Sequence, residues 1–384
     1  MASKDITFSQ IPEGRRTPGP LTEYNTSGAV TSLPANSYKV VAVGQRTAAG
    51  TVPANTVKDI FSSDDAAVYW GRGSIMHLAV MDAFKANPYL TLQGVAVDDA
   101  VAGVVASAPI TITGPATGNG AMRLMVNENN VDVAIGMNDT ASAIAASLNA
   151  QIAMQPNLPI VATVLAGVVT VSAKHKGALG NAIKLATVVN ANGVAAAAGA
   201  MTGGLNDPDI SSALLAIYNA GHSIVMSGFN DAANMTALRT HLNAVSGPME
   251  RRRARGVYAN TATYAQSVTS AAALNEGRLL EILVPNSYES SYEVAAVMAA
   301  IAASEPDPAR PLNDMELIGL TPPPLESQLS GQQIEACLHN GVTPTHVGPG
   351  NKLQIVRAVT TYTLNPAGVP DVSLMDWTTL GTLD

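Results

Sequence analysis

The chain has 384 residues, 47% hydrophobic and only 13% charged, with a formal net charge of −8. That is enough apolar material for more than one core, too little charge for a wholly exposed monomer surface, and the wrong sign for general nucleic-acid binding. A lone cysteine, Cys337, excludes a disulfide framework or a CxxC metal site, and no run of about 18 apolar residues offers a membrane span.

Residues 1–30 read as an extended arm. Pro12, Pro18 and Pro20 with Gly14 and Gly19 oppose a helix. Ile6 and Phe8 share one face of a short alternating piece, and Tyr24 opens another, so the arm has apolar anchors for adding a strand to a second subunit. The stretch 37–44 is a short strand of the kind buried on both faces. A helix is predicted over 63–87, with Ile75, Leu78, Ala79 and Asp82 at helical spacing, and a strand over 89–97.

The composition then changes. Residues 101–204 read as an inserted α+β module. It has strands at 109–114, 121–126 and 131–135, a helix at 141–153, a hairpin of 160–165 with 168–173 around Ala166-Gly167, and a last strand at 183–189. The Ala/Gly-rich stretch 194–204 reads as its return linker. The larger domain, 31–100 with 205–350, resumes as helix 208–219, strand 222–227, helix 235–245, strand 256–260, helix 263–274, strand 278–284 and helix 291–304. This alternation predicts an α/β layer with a largely parallel sheet. A proline-rich connection and a helix at 330–340 follow. Residues 351–384 are expected to hold one long strand, 352–364, and a hairpin return. The fold class is thus α/β (mixed α+β), a layered core with a small insert and extended terminal arms.

No catalytic constellation emerges. There is no GxGxxG after the first strand, no GxxxxGK[ST] and no GxSxG. The six histidines form no HxH or HxxxH pair. His222 is the best lone candidate for chemistry, and Cys337 reads as a buried apolar residue. The basic cluster Arg251, Arg252, Arg253 and Arg255 is read as an electrostatic contact with an acidic patch on a neighbouring copy.

Several stretches carry a resemblance. The opening DITFSQIP (5–12) and RRTPGPLTEY (15–24), DPARPL (307–312), GVTP (341–344), and IVRAVTTY (355–362) followed by Asn365, Gly368 and Asp371 resemble the contractile tail sheath proteins of Mu-like phages. The insert, with NDTA (138–141) and AGVVT (166–170), is similar to a module of phage sheaths. The resemblance implies hexameric rings stacked around a tail tube, joined by arms that add strands to neighbouring sheets. It further implies contraction on a baseplate signal, which drives the tube through the host envelope. The implied partners are copies of the chain, the tail tube protein, and baseplate and tail terminator proteins, with no cofactor, no nucleotide, no direct nucleic-acid contact and no membrane insertion. The implied location is the virion, after assembly in the host cytoplasm, with the insert facing outward.

Ile355, Arg357, Val359 and Tyr362 on the late strand join Ile6, Phe8 and Tyr24 as expected inter-subunit residues. The resemblance also predicts a further C-terminal domain beyond residue 380, without which the chain is expected to polymerise poorly. The strand 352–364 is then left at an exposed edge or folded back on its own sheet. A small-molecule enzyme on an α/β domain and an adhesin-type binding module are the alternatives.

Overall fold

The computed structural model describes residues 38–384. The chain begins with β1 (Val40–Gln45), buried along its length, then β2 (Lys58–Ile60), α1 (Ser63–Trp70), α2 (Ile75–Ala86) and β3 (Leu92–Val97). The single helix anticipated over 63–87 is two. Gly71 and Gly73 take φ of 88° and 74°, a region open to glycine without steric cost, and Ser74 restarts the helix by accepting from the His77 amide. The break has a packing reason as well: a Cβ on Gly73 would lie 2.3 Å from the Leu158 carbonyl oxygen.

Next comes a body with its own core. It contains β4 (Val105–Thr113), β5 (Gly120–Val126), β6 (Asn129–Ile135), α3 (Ala141–Ala153), β7 (Ile160–Leu165), β8 (Val168–Lys176), β9 (Leu185–Val189) and β10 (Ala195–Ala198). Two antiparallel sheets, ordered β10-β4-β8-β7 and β6-β5-β9, bury alternate residues against the Ile144, Leu148 and Ile152 stripe of α3. The stretch read as a return linker therefore contributes a strand: the alanines of β10 pair with Ile110–Thr113, where small side chains let the backbones lie close.

The main sheet resumes with α4 (Ser211–Ile217), β11 (Ile224–Ser227), α5 (Ala232–Val245), β12 (Arg255–Asn260), α6 (Tyr264–Leu274), β13 (Leu279–Leu283) and α7 (Ser291–Ser304). It ends with α8 (Gly331–His339), β14 (Thr343–Gly348), β15 (Lys352–Ile355) and α9 (Trp377–Leu383). The order is β15-β14-β13-β12-β11-β1-β3-β2. The six inner strands are parallel, and each edge strand is antiparallel to its neighbour. Helices α2 and α7 cover one face; α4, α5, α6 and α8 cover the other. Helix α7 is buried from Ser291 to Ala302, and its run of alanines permits the close α2–α7 contact.

The long strand anticipated over 352–364 is corrected. Only Lys352–Ile355 is strand, and β14, not foreseen, is its partner. Past it the alternation fails, because Ala358, Val359, Thr360 and Thr361 are all buried in succession.

Candidate assembly surface

The carboxyl ends of parallel strands form the crevice in which open α/β sheets bind ligands, at the point where strand order reverses. Here that point lies between β1 and β11, and the inserted body occupies it. Gln45, at the end of β1, donates to Asp99 and to the Lys176 carbonyl at the end of β8. Beside it, Lys174 donates to the carbonyls of Arg72 and Pro156.

Two adjoining clefts remain farther along, at the ends of β12 and β13. They measure about 790 and 730 Å³ and share Thr261, Ala262 and Asn286. Lys184 bonds Asn286 there and stands over the Tyr288 ring at 5.9 Å. No nucleophile with a base lines either cleft among the described residues, and no group of three His, Cys, Asp or Glu side chains is placed to hold a metal. No helix of the described residues is long and apolar enough to cross a membrane.

The chemistry candidates are held structurally. His222 is buried and bonds Gln93 at 2.7 Å; burial, with Lys39 and His241 nearby, lowers its pKa to about 4. Burial pushes the Cys337 thiol up to about 11, which suppresses the thiolate.

The polar geometry concentrates where residues 356–384 return across the sheet. Val359 exchanges bonds with the Thr343 hydroxyl at 2.9 and 3.0 Å. The Thr361 amide donates to the Leu279 carbonyl at 2.9 Å, extending the sheet beside β13 below the point where β14 pairs with it. The Thr361 hydroxyl accepts from the Glu276 amide and donates to its carbonyl. Asn275, left-handed at the end of α6, takes the amides of Thr363 and Leu364. The chain then doubles back. Thr360 bonds the carbonyls of Leu374 and Met375, and Arg357 grips Asp376 through two bonds of 2.8 Å. Those bonds raise the Arg357 pKa. Tyr362 donates to Asp371, and that bond lowers the carboxyl pKa of Asp371.

Trp377 closes the return. It is 3% exposed, with the Arg255 guanidinium 4.3 Å above its ring and donating to its carbonyl. Arg278 holds Asp384 at 2.7 Å.

Against this architecture, residues 203–361 match the model of the phage tail sheath protein central domain. The match starts where the chain leaves the insert and runs through the first bonds of the return. Over 98% of its length and 79% of its relative's, the chain is 29% identical to the Mu-like prophage FluMu tail sheath protein of Haemophilus influenzae. Residues 203–361 thus match a tail sheath central domain, and the chain as a whole is similar to a Mu-like tail sheath protein. Crystal structures of two sheath tail proteins are similar to it. That from Desulfitobacterium hafniense has 13% identity and TM-score 0.48, covering 95% of this chain and 80% of that one. That from Listeria innocua has 12% identity and TM-score 0.46, covering 91% and 74%. The matched central domain and the whole-length relative support a structural tail-sheath role.

In this chain the expected assembly residues are distributed unevenly. Ile6, Phe8 and Tyr24 lie outside the described residues. Ile355 and Val359 are buried in their own subunit, and Arg357 and Tyr362 are engaged by the return. Within the basic cluster, Arg255 is buried under Trp377, Arg253 pairs with Asp384, Arg252 pairs with Glu250, and Arg251 is exposed and bonds the Pro248 carbonyl. The edge of β15 is not open. Asp314 and Leu317 donate to the carbonyls of Ile355 and Leu353, and Ile355 donates to Met315. Sequence reasoning missed this cover, because 314–317 has no strand periodicity. It also missed the roles of Trp377 and Arg278, since an aromatic late in a chain carries no pattern of its own.

Proposed function

We propose that this chain is the polymerising, non-enzymatic subunit of a contractile tail sheath. Copies stack as hexameric rings around a tail tube and contract to drive the tube through a host envelope. The whole-length relation to a Mu-like tail sheath protein carries the reading. The filling of the sheet's crevice by the insert supports it against an enzyme. The N-terminal arm, through Ile6, Phe8 and Tyr24, reaches a neighbouring subunit. The surface around Ile355, Arg357, Val359 and Tyr362 receives such an arm, and Arg251, Arg252 and Arg253 face an acidic patch on an adjacent copy, with Arg255 as the buried anchor behind them. The core of residues 31–100 and 205–350 forms the wall of the sheath, and the insert of 101–204 faces outward. Tail tube, baseplate and terminator proteins are the remaining partners, and assembly takes place in the host cytoplasm.

Deleting this chain from the particle that encodes it tests the reading by electron microscopy. Naked tail tubes are the expected outcome; sheathed tails in the deletion strain would overturn it. Tails that still assemble after removal of 101–204 would support the outward placement of the insert, and their loss would refute it.

A further inference from the structure

The seam between the inserted body and the core contains a group of acids that nothing in the family role uses. Asp82, on α2, is 1% exposed, and neither carboxylate oxygen has a hydrogen-bond partner among the described residues. The Lys85 ammonium, one turn on, stands 3.7 Å from Asp82 and 3.9 Å from Glu128 of the β5–β6 turn. From α7 and its approach come Glu293, Glu289 and the buried Tyr292. Glu293 caps its own helix through the Ser290 amide. Glu289 accepts from the Thr321 amide and the Ser287 hydroxyl. Lys184 of the insert lies near enough to feel Glu289. The same turn that brings Glu128 also brings Asn127, which donates to the Ser290 hydroxyl across the seam at 3.0 Å. Four carboxylates thus meet from three elements, and Asp82, the most buried of them, has no hydrogen bond to hold its charge.

A buried carboxylate with no donor holds a proton more tightly than water would dictate. Burial first, then the Glu128 charge, raises the Asp82 pKa to about 7. Burial and the Asp82 charge raise Glu293 well above the usual range, and burial raises Glu128. Lys85, half exposed, offsets one charge of the four.

We propose that Asp82, faced by Glu128 and Glu293, is a proton-operated latch between the insert and the core. With Asp82 neutral, the β5–β6 turn rests on α2 and α7 and the Asn127–Ser290 bond closes. With Asp82 ionised, its charge repels Glu128, and the turn lifts from the core. The latch belongs to a single subunit and does not depend on polymerisation.

Spin labels on Met137→Cys and Leu215→Cys, both at exposed positions, in a Cys337→Ala background report the separation of insert and core by pulsed electron resonance. One distance population is expected at pH 5. A second, displaced population is expected at pH 8.5, with the opening constant raised at least about tenfold, because the closed seam binds the Asp82 proton at least that much more tightly than the open one. Asp82→Asn should keep the single population at both pH values. Glu128→Gln, at a half-buried site, should shrink the transition and move it to lower pH, with circular dichroism confirming the fold. An unchanged distribution in the parent chain between pH 5 and 8.5 overturns the latch. So does an Asp82→Asn or Glu128→Gln variant that opens as the parent does.

Discussion

The C-terminal return and the insert seam both join distant parts of the chain through buried polar groups, yet they are built on opposite terms. In the return, Thr343, Thr361 and Asn275 each meet main-chain groups across the fold, and Arg255 and Arg278 are answered by Trp377 and Asp384. A satisfied network in a low-dielectric interior favours one arrangement. At the seam, Asp82 is left without a bond, so the contact keeps a cost that a proton can remove. The first region specifies a position; the second makes a position conditional.

Emptying the tryptophan socket is the most severe challenge to the first half of that contrast. Trp377→Ala should cost about 3–5 kcal/mol in urea unfolding, with amide exchange rising across 371–384. A cost under about 1 kcal/mol would mean that the return is loosely held and the two regions are alike.

The pH dependence of stability sharpens the second half. The folded-state pKa of Asp82 is raised from 3.8 to about 7, so its contribution is fully present below about pH 4 and is lost as pH rises through 7. The chain should therefore lose on the order of 4 kcal/mol from this group between pH 4 and 8, and Asp82→Asn should remove that part of the slope. Urea titrations of both proteins at several pH values provide the check. Asn127→Ala, which removes the donor to the Ser290 hydroxyl and the acceptor of the Lys184 amide, should cost about 1–2 kcal/mol, and the loss should be larger at pH 5 than at pH 8.5. Arg357→Ala should cost under about 1 kcal/mol and less still in high salt, because the pair with Asp376 is partly exposed and screened.

The parallel core was legible because its strands are short apolar runs, such as 40–43 and 224–226, separated by capped helices. The insert was legible through alternation, which its sheets obey nearly residue by residue. The stretch 356–364 misled for a physical reason. Threonines favour strands by packing on a pleated surface, but here Thr343, Thr360 and Thr361 use their hydroxyls to hold irregular backbone, and a hydroxyl bond leaves no period. The helix over 63–87 misled because apolar spacing carries through Gly71-Arg72-Gly73 while the backbone does not. The seam left one trace: Asp82 falls on the apolar stripe of its helix. What that acid faces comes from the β5–β6 turn and from α7, both far along the chain, and periodicity cannot see across that distance.

The covered rim of β15 has a consequence for how the sheet meets an incoming chain. A bare edge strand is a template that any extended segment can join. Here three main-chain bonds to 314–317 already occupy it, and that covering segment is tethered in the same molecule at an effective concentration on the order of millimolar. An invading strand must displace a resident rather than land on vacant ground. The rim therefore discriminates by competition: stray peptides at micromolar levels lose, and only a segment brought equally close by a neighbouring subunit can win.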